Sequence, residues 1–171
     1  MADTQIMDPA PDPEVNTAEL DDLMTFLRLL APPERGEITP SVMSGEAHFQ
    51  NIGCAECHVP TLRTGNHSIP SFSNIDAPLY SDLLIHDMGQ VPLADNRVDG
   101  SASDREWRTA PLWGIGAAVD RPGITFLHNG IAPDLPSAIR AHGGEALQSR
   151  IRFESLSSDE QDQLIAFLAS L

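Results

Sequence analysis

Both cysteines of the chain fall in one hexapeptide, Gly53-Cys54-Ala55-Glu56-Cys57-His58, with a histidine directly behind the second. C-x-x-C-H is the attachment pattern of a c-type haem. Two thiols one helical turn apart can reach the two vinyl groups of one porphyrin as thioethers, and the adjoining imidazole is then held beneath the iron. A zinc half-site would need a second ligand pair at short spacing, and none follows. A thioredoxin-type dithiol needs a βαβ setting, whereas these flanks read as helix and loop. A disulfide between Cys54 and Cys57 would close too short a loop to stabilise much. The pattern therefore predicts one covalent haem c held by Cys54 and Cys57, with His58 as proximal ligand. The His58 imidazole has to be neutral, its second nitrogen oriented by a hydrogen bond to a backbone carbonyl.

Such a group also accounts for the rest of the composition. With 171 residues there is room for one ordinary domain, or one domain and the edge of another. Fourteen prolines and twelve glycines against a single tyrosine favour short helices joined by long irregular loops over a sheet protein. A porphyrin supplies the missing apolar bulk. The formal charge of −15, from 25 acids and 10 bases, repels nucleic acid and anionic membrane surfaces and suits a basic or neutral redox partner. No apolar run approaches the ~18 residues that span a bilayer, and the first residues lack the basic and apolar regions of a secretion signal. Covalent haem attachment is completed outside the cytoplasm, so the expected location is periplasmic or extracellular, with a signal removed or a longer precursor.

Along the chain, residues 1–15, with Pro9, Pro11 and Pro13, read as an extended tail. Asn16 with Glu19 forms a capping-box pattern, and Leu20, Leu23, Leu27 and Leu30 recur at helical spacing until Pro32-Pro33 ends the helix. A second box, Ser157 with Glu160, opens the C-terminal helix and its stripe of Leu164, Phe167, Leu168 and Leu171. At an offset of 141 (158 − 17) the two helices coincide: Glu19 falls on Glu160, Asp21 on Asp162, Leu23 on Leu164, Phe26 on Phe167 and Leu27 on Leu168. The same helix is written twice. Residues 59–133 carry weak periodicity and frequent turn signals, among them Gly65-Asn66, Asp99-Gly100 and Asn129-Gly130. A short helix over about 135–142 is expected to end at His142, with Gly143-Gly144 as a left-handed cap.

Gly45-Glu46-Ala47-His48-Phe49 before the motif is the short amphipathic helix with an aromatic residue that precedes the attachment site in cytochromes c, so residues 45–58 resemble a cytochrome c domain. The blocks Asp82 to Gly89, Glu106 to Gly114, Leu127 to Gly130 and His142 to Ala146 extend the likeness. Residues 17–171 resemble the C-terminal haem half of the di-haem, thiol-oxidoreductase-like proteins related to bacterial cytochrome c peroxidase and MauG. In that family two cytochrome c domains stand in tandem, one haem meeting peroxide and the other, in the C-terminal domain, passing electrons. The resemblance implies a mainly α, cytochrome c-like domain over 40–171, with short helices and long loops around one covalently bound haem. Residues 1–39 then read as a tail and the closing helix of a preceding, absent haem domain. One block departs from the family, His128-Asn129-Gly130-Ile131 standing where H-D-G-R is usual.

For the second axial position the candidates are His48, His67, His86, His128, His142, Met43 and Met88, and spacing alone does not choose. The resemblance implies His142, fourteen residues beyond His128 (142 − 128), where the peroxidases carry methionine and MauG tyrosine. Met88 is the alternative. Two imidazoles favour ferric iron more than imidazole with thioether and so lower the reduction potential. His86 and His128 read as buried histidines bonded to backbone or to a haem propionate. Arg108 and Trp113 lie where the relatives surround the haem edge, Arg108 as a propionate partner, and Trp107 and Trp113 as core or relay. The relatives also hold a calcium ion between their haem domains, largely through carbonyls. The function expected is single-electron transfer through a six-coordinate haem, to a redox partner protein or to the missing N-terminal haem domain. The alternative is a part of a di-haem peroxidase-like oxidoreductase whose catalytic haem lies in that missing half.

Overall fold

The computed structural model describes residues 13–90, 92–119 and 121–171. Pro9 and Pro11 of the expected tail lie outside the described residues. Contacts divide the chain into two units, up to Pro32 and from Pro33 onward. The division falls a little ahead of the boundary expected at 39/40.

Among the described residues the first unit contains one helix, α1 (Thr17–Leu29). Its start is the capping box read from the sequence: the Glu19 amide donates to the Asn16 side chain at 3.1 Å, and the Asn16 amide donates to the Glu19 carboxylate at 2.9 Å. Two otherwise orphaned N–H groups are thereby satisfied. The chain turns extended at Leu30, ahead of the two prolines.

The second unit is mainly α. Its helices are α2 (Pro40–Asn51), α3 (Ile115–Val119), α4 (Leu135–Ala141), α5 (Leu147–Ser155) and α6 (Ser158–Ala169). Among the described residues four short strands pair antiparallel in twos, β1 (Leu62–Arg63) with β2 (Asp76–Ala77) and β3 (Ile85–Asp87) with β4 (Glu106–Arg108). Three of these helices, α2, α4 and α6, start on a side chain that accepts from the first turn, whereas α5 follows Ala146 and has no such cap. Thr39 accepts from the Val42 amide with Pro40 at the first helical position, and Asp134 accepts from Ser137. Ser157 accepts from Glu160, whose carboxylate returns to Ser157.

The core is the crossing of α2 and α6. Phe167 and Leu164 are fully buried, and Phe49 of α2 lies 5.2 Å from the Phe167 ring centroid. Tyr80 closes the cluster edge-on to both, at 6.1 and 5.7 Å. Gly45 lets the helices meet, since a Cβ there would strike the Gln163 carbonyl and Phe167. The C-terminus is tied in as well, the Leu171 carbonyl accepting from Gly114 at 2.9 Å. Phe153 of α5 is wholly buried in the same core. Together these elements form a platform beneath the hexapeptide.

Candidate functional site

The hexapeptide starts where α2 ends. Gly53 is buried with φ 92, a left-handed conformation, and a Cβ would crowd Ser149, Arg152 and Glu56 at 3.1 to 3.2 Å. Only glycine enters this turn without strain. Residues Cys54–Glu56 then make a 3-10 turn, and the His58 amide donates to the Cys54 carbonyl at 2.9 Å. Burial pushes the Cys54 thiol up to about 12. Cys57 is raised too, first by burial and then by the carboxylates of Asp82, Glu145 and Glu56. Both sulfurs are therefore neutral thiols near pH 7, unlike the lowered thiol of a redox dithiol.

Two imidazoles face one another at this turn. Nδ1 of His58 lies 3.0 Å from the Tyr80 carbonyl, and Nδ1 of His142 lies 2.8 Å from the Ala138 carbonyl. A carbonyl only accepts, so each ring carries its proton on Nδ1 and keeps the Nε2 lone pair for a ligand. Burial is the main cause that keeps both rings neutral, His58 pushed down to about 4 and His142 lowered. The ring centroids stand 6.5 Å apart with planes at 50°. With metal–imidazole bonds of about 2.0 Å, and ring centroids about 1.2 Å behind the nitrogens, one ion between two imidazoles spaces them roughly 6.4 Å apart. The residues present, two buried neutral imidazoles whose Nε2 lone pairs are left over by the Nδ1 bonds, fit the donor set of a haem iron.

The local chain explains each ring's position. Tyr80 is buried at φ 53, uncommon for so bulky a residue, and this conformation belongs to the turn that carries the carbonyl bonded to His58. Its hydroxyl donates to Glu46 at 3.1 Å. His142 caps α4 in extended conformation (φ −65, ψ 126). The left-handed turn expected at Gly143-Gly144 falls on Gly144 alone (φ 50), while Gly143 is extended.

The remaining expected residues distribute as follows. Met88 sits in the loop beyond β3, its amide donating to the Arg105 carbonyl at 2.8 Å and its own carbonyl against Gly143. Met43 is 62 % exposed, and Nε2 of His48 lies 3.0 Å from the Gln163 side chain. Nδ1 of His67 accepts from the Ile69 amide. His86 is not bonded to backbone, as expected, but to two carboxylates, Nε2 to Asp82 at 2.8 Å and Nδ1 to Glu145 at 2.9 Å. His128 is exposed rather than buried, its ring stacked on Trp107 at 3.4 Å and 13°. Trp107 in turn donates its indole N–H to the Leu93 carbonyl at 3.0 Å. Arg108 is exposed and makes no salt bridge among the described residues, and Trp113 is 38 % exposed.

Among the described residues one group of three metal-type donors converges, Cys57, Asp82 and His86 within 4.8 Å. It is ill suited to zinc, because an imidazole between two carboxylates donates from both nitrogens and has no lone pair left. These bonds, with Glu145 first, raise the His86 pKa. No carboxylate cage for calcium appears among the described residues. Tyr80 was given no role from the sequence, and Asp82 and Glu145 stood there only as members of blocks that carry the resemblance. Tyr80 had one signal, being the only tyrosine in the chain.

The chain belongs to the di-haem oxidoreductase family: a family model described as "di-haem oxidoreductase, putative peroxidase" matches residues 3–171. Haem is thus its cofactor and oxidation–reduction its chemistry. No curated protein and no solved structure matches it.

Proposed function

We propose that this chain is the electron-transfer haem domain of such an oxidoreductase, carrying one haem c on Cys54 and Cys57 with His58 and His142 as axial ligands. The observation that carries the reading is the pair of Nδ1-tethered imidazoles at 6.5 Å. When bound, the haem supplies a one-electron couple. The chain's own residues supply two neutral imidazoles, each fixed in tautomer by a carbonyl, and a buried aromatic wall of Phe49, Tyr80 and Phe167 behind His58. Fixed ligands need little rearrangement between oxidation states. With both axial positions filled there is no open coordination for peroxide, which favours electron transfer over substrate chemistry. Met88 remains the alternative ligand, and Arg108 a cation free to pair a propionate. The location is periplasmic or extracellular, the partner a redox protein or a second haem domain. In the same reading α1 is the closing helix of a preceding haem domain. No helix among the described residues is long and apolar enough to cross a membrane.

A second reading, that the chain is one part of a peroxidase-like enzyme, is favoured by the family match. The purified protein should show one c-type haem per chain in alkaline pyridine. His142→Ala should turn the ferric spectrum from low to high spin, and an unchanged spectrum sinks the ligand assignment. Cyanide or peroxide that shifts the Soret band of the unmutated ferric protein at once indicates an open site and the enzymatic reading.

A further inference from the structure

The segment bearing His142 is braced from outside its own helix. Gly143 and Gly144 lie directly on the loop beyond β3: a Cβ at 143 would come within 2.8 Å of the Met88 carbonyl, and one at 144 would strike the Asp87 carbonyl. The next side chain, Glu145, closes the contact. One of its oxygens accepts from the Asp87 amide at 2.9 Å and the other lies 2.9 Å from Nδ1 of His86. From there the connection runs to the other ligand's turn, since Nε2 of His86 meets Asp82 at 2.8 Å and the Asp82 amide donates to the Cys57 carbonyl at 2.8 Å. The side chains of Asp82 and His86 are largely withdrawn from water, at 12 % and 17 % exposure, which strengthens charge-assisted bonds. Inside α4 the Ala138 carbonyl orients the His142 ring only relative to its own helix.

We propose that His86, bridging Asp82 and Glu145, is a positioning residue that clamps the His142 segment to the Cys57-His58 turn and so fixes the spacing of the two axial imidazoles. The clamp rests on the axial assignment above. It makes no contact with iron itself. Without it, His142 stays on α4 but the end of α4 is free to move against the attachment turn, and the sixth position opens more often to outside ligands.

The test uses the whole chain with haem attached. Glu145→Ala should speed amide exchange of residues 142–147 and cyanide uptake by the ferric protein, each roughly three- to tenfold, the range for one partly exposed charge-assisted bond. Exchange in α2 and α6 should not change. Glu145→Gln, which keeps the bond from Asp87 but turns an NH2 to Nδ1 of His86 and so leaves at most a neutral bond of reversed direction, should fall between, and it replaces the alanine variant should that fail to fold. His86→Ala with Glu145→Ala should be less than additive, close to the more severe of the two single variants, as for one connected device. Unchanged cyanide uptake overturns the clamp, even with faster exchange, because the contact would then serve stability alone. An additive double variant overturns it too. If instead His142→Ala leaves the spectrum unaltered, the axial assignment fails, and the exchange of 142–147 still decides whether the clamp exists.

Discussion

Helices α1 and α6 open on the same device and continue with the same stripe, yet their apolar faces meet opposite fates. In α6, Leu164 and Phe167 are 0 % and Leu168 5 % exposed, while their counterparts Leu23, Phe26 and Leu27 in α1 are 49 %, 61 % and 54 % exposed. Capping and periodicity are local and are satisfied in both. Burial requires a second element, and α6 has one in α2, whose Gly45 admits it to contact. An amphipathic stripe therefore states what a helix can bury, not whether it does.

The comparison breaks first at the aromatic position. Phe167→Ala should cost about 3–5 kcal/mol of the larger unit's stability. Phe26→Ala should stay within about 0.5 kcal/mol. Chemical denaturation of both variants settles it, and a matching loss at Phe26 would mean that α1 is partnered after all. Gly45→Val comes next, at about 3 kcal/mol, the upper end of overpacking, because the obstacle is the backbone carbonyl of Gln163 rather than a flexible side chain. A near-neutral result in the same denaturation assay would show that α2 and α6 can slide apart cheaply.

The caps sharpen the comparison at lower energy. Ser157→Ala should lower the unfolding free energy by about 0.5–2 kcal/mol and the denaturation midpoint with it. Asn16→Ala should reduce helical circular dichroism without moving that midpoint, since no residue of α1 is buried. The smallest effect is one of pH. Hydrogen bonds from the Ser157 amide and hydroxyl hold the Glu160 carboxyl below its ordinary value of 4.5. A depressed folded value means the contribution is full at neutral pH and is lost as pH falls below about 4.5 through the folded value. Glu160→Gln should flatten that part of the stability profile, and a profile equally steep in the variant would remove Glu160 from the account.

The two histidines differ from the two helices in how they were read. The role proposed for His58 could be read from the sequence because it rests on the four residues just before it, Cys54 to Cys57. His142 came only through the resemblance, since its facing partner lies 84 residues away (142 − 58) and no spacing rule connects them. His86 and His128 were read wrongly for the same reason: the carboxylate of Glu145 and the indole of Trp107 that hold them are supplied by distant segments. The β3 and β4 pairing, which brings Trp107 opposite His86, lies in a region where weak periodicity left no strand signal.

What the amino-acid order alone determined is what one or two turns of backbone can carry: the Cys54 to His58 turn with Gly53 at its entry, both capping boxes, and the shared pattern of α1 and α6. Only the tertiary structure decided which of the two apolar stripes is buried, which carbonyl tethers each imidazole, and how far apart the two rings stand. Hydrogen bonds along a helix span three or four residues and leave a mark in the sequence. A contact between residues 58 and 142 depends on every fold of the chain between them, and leaves none.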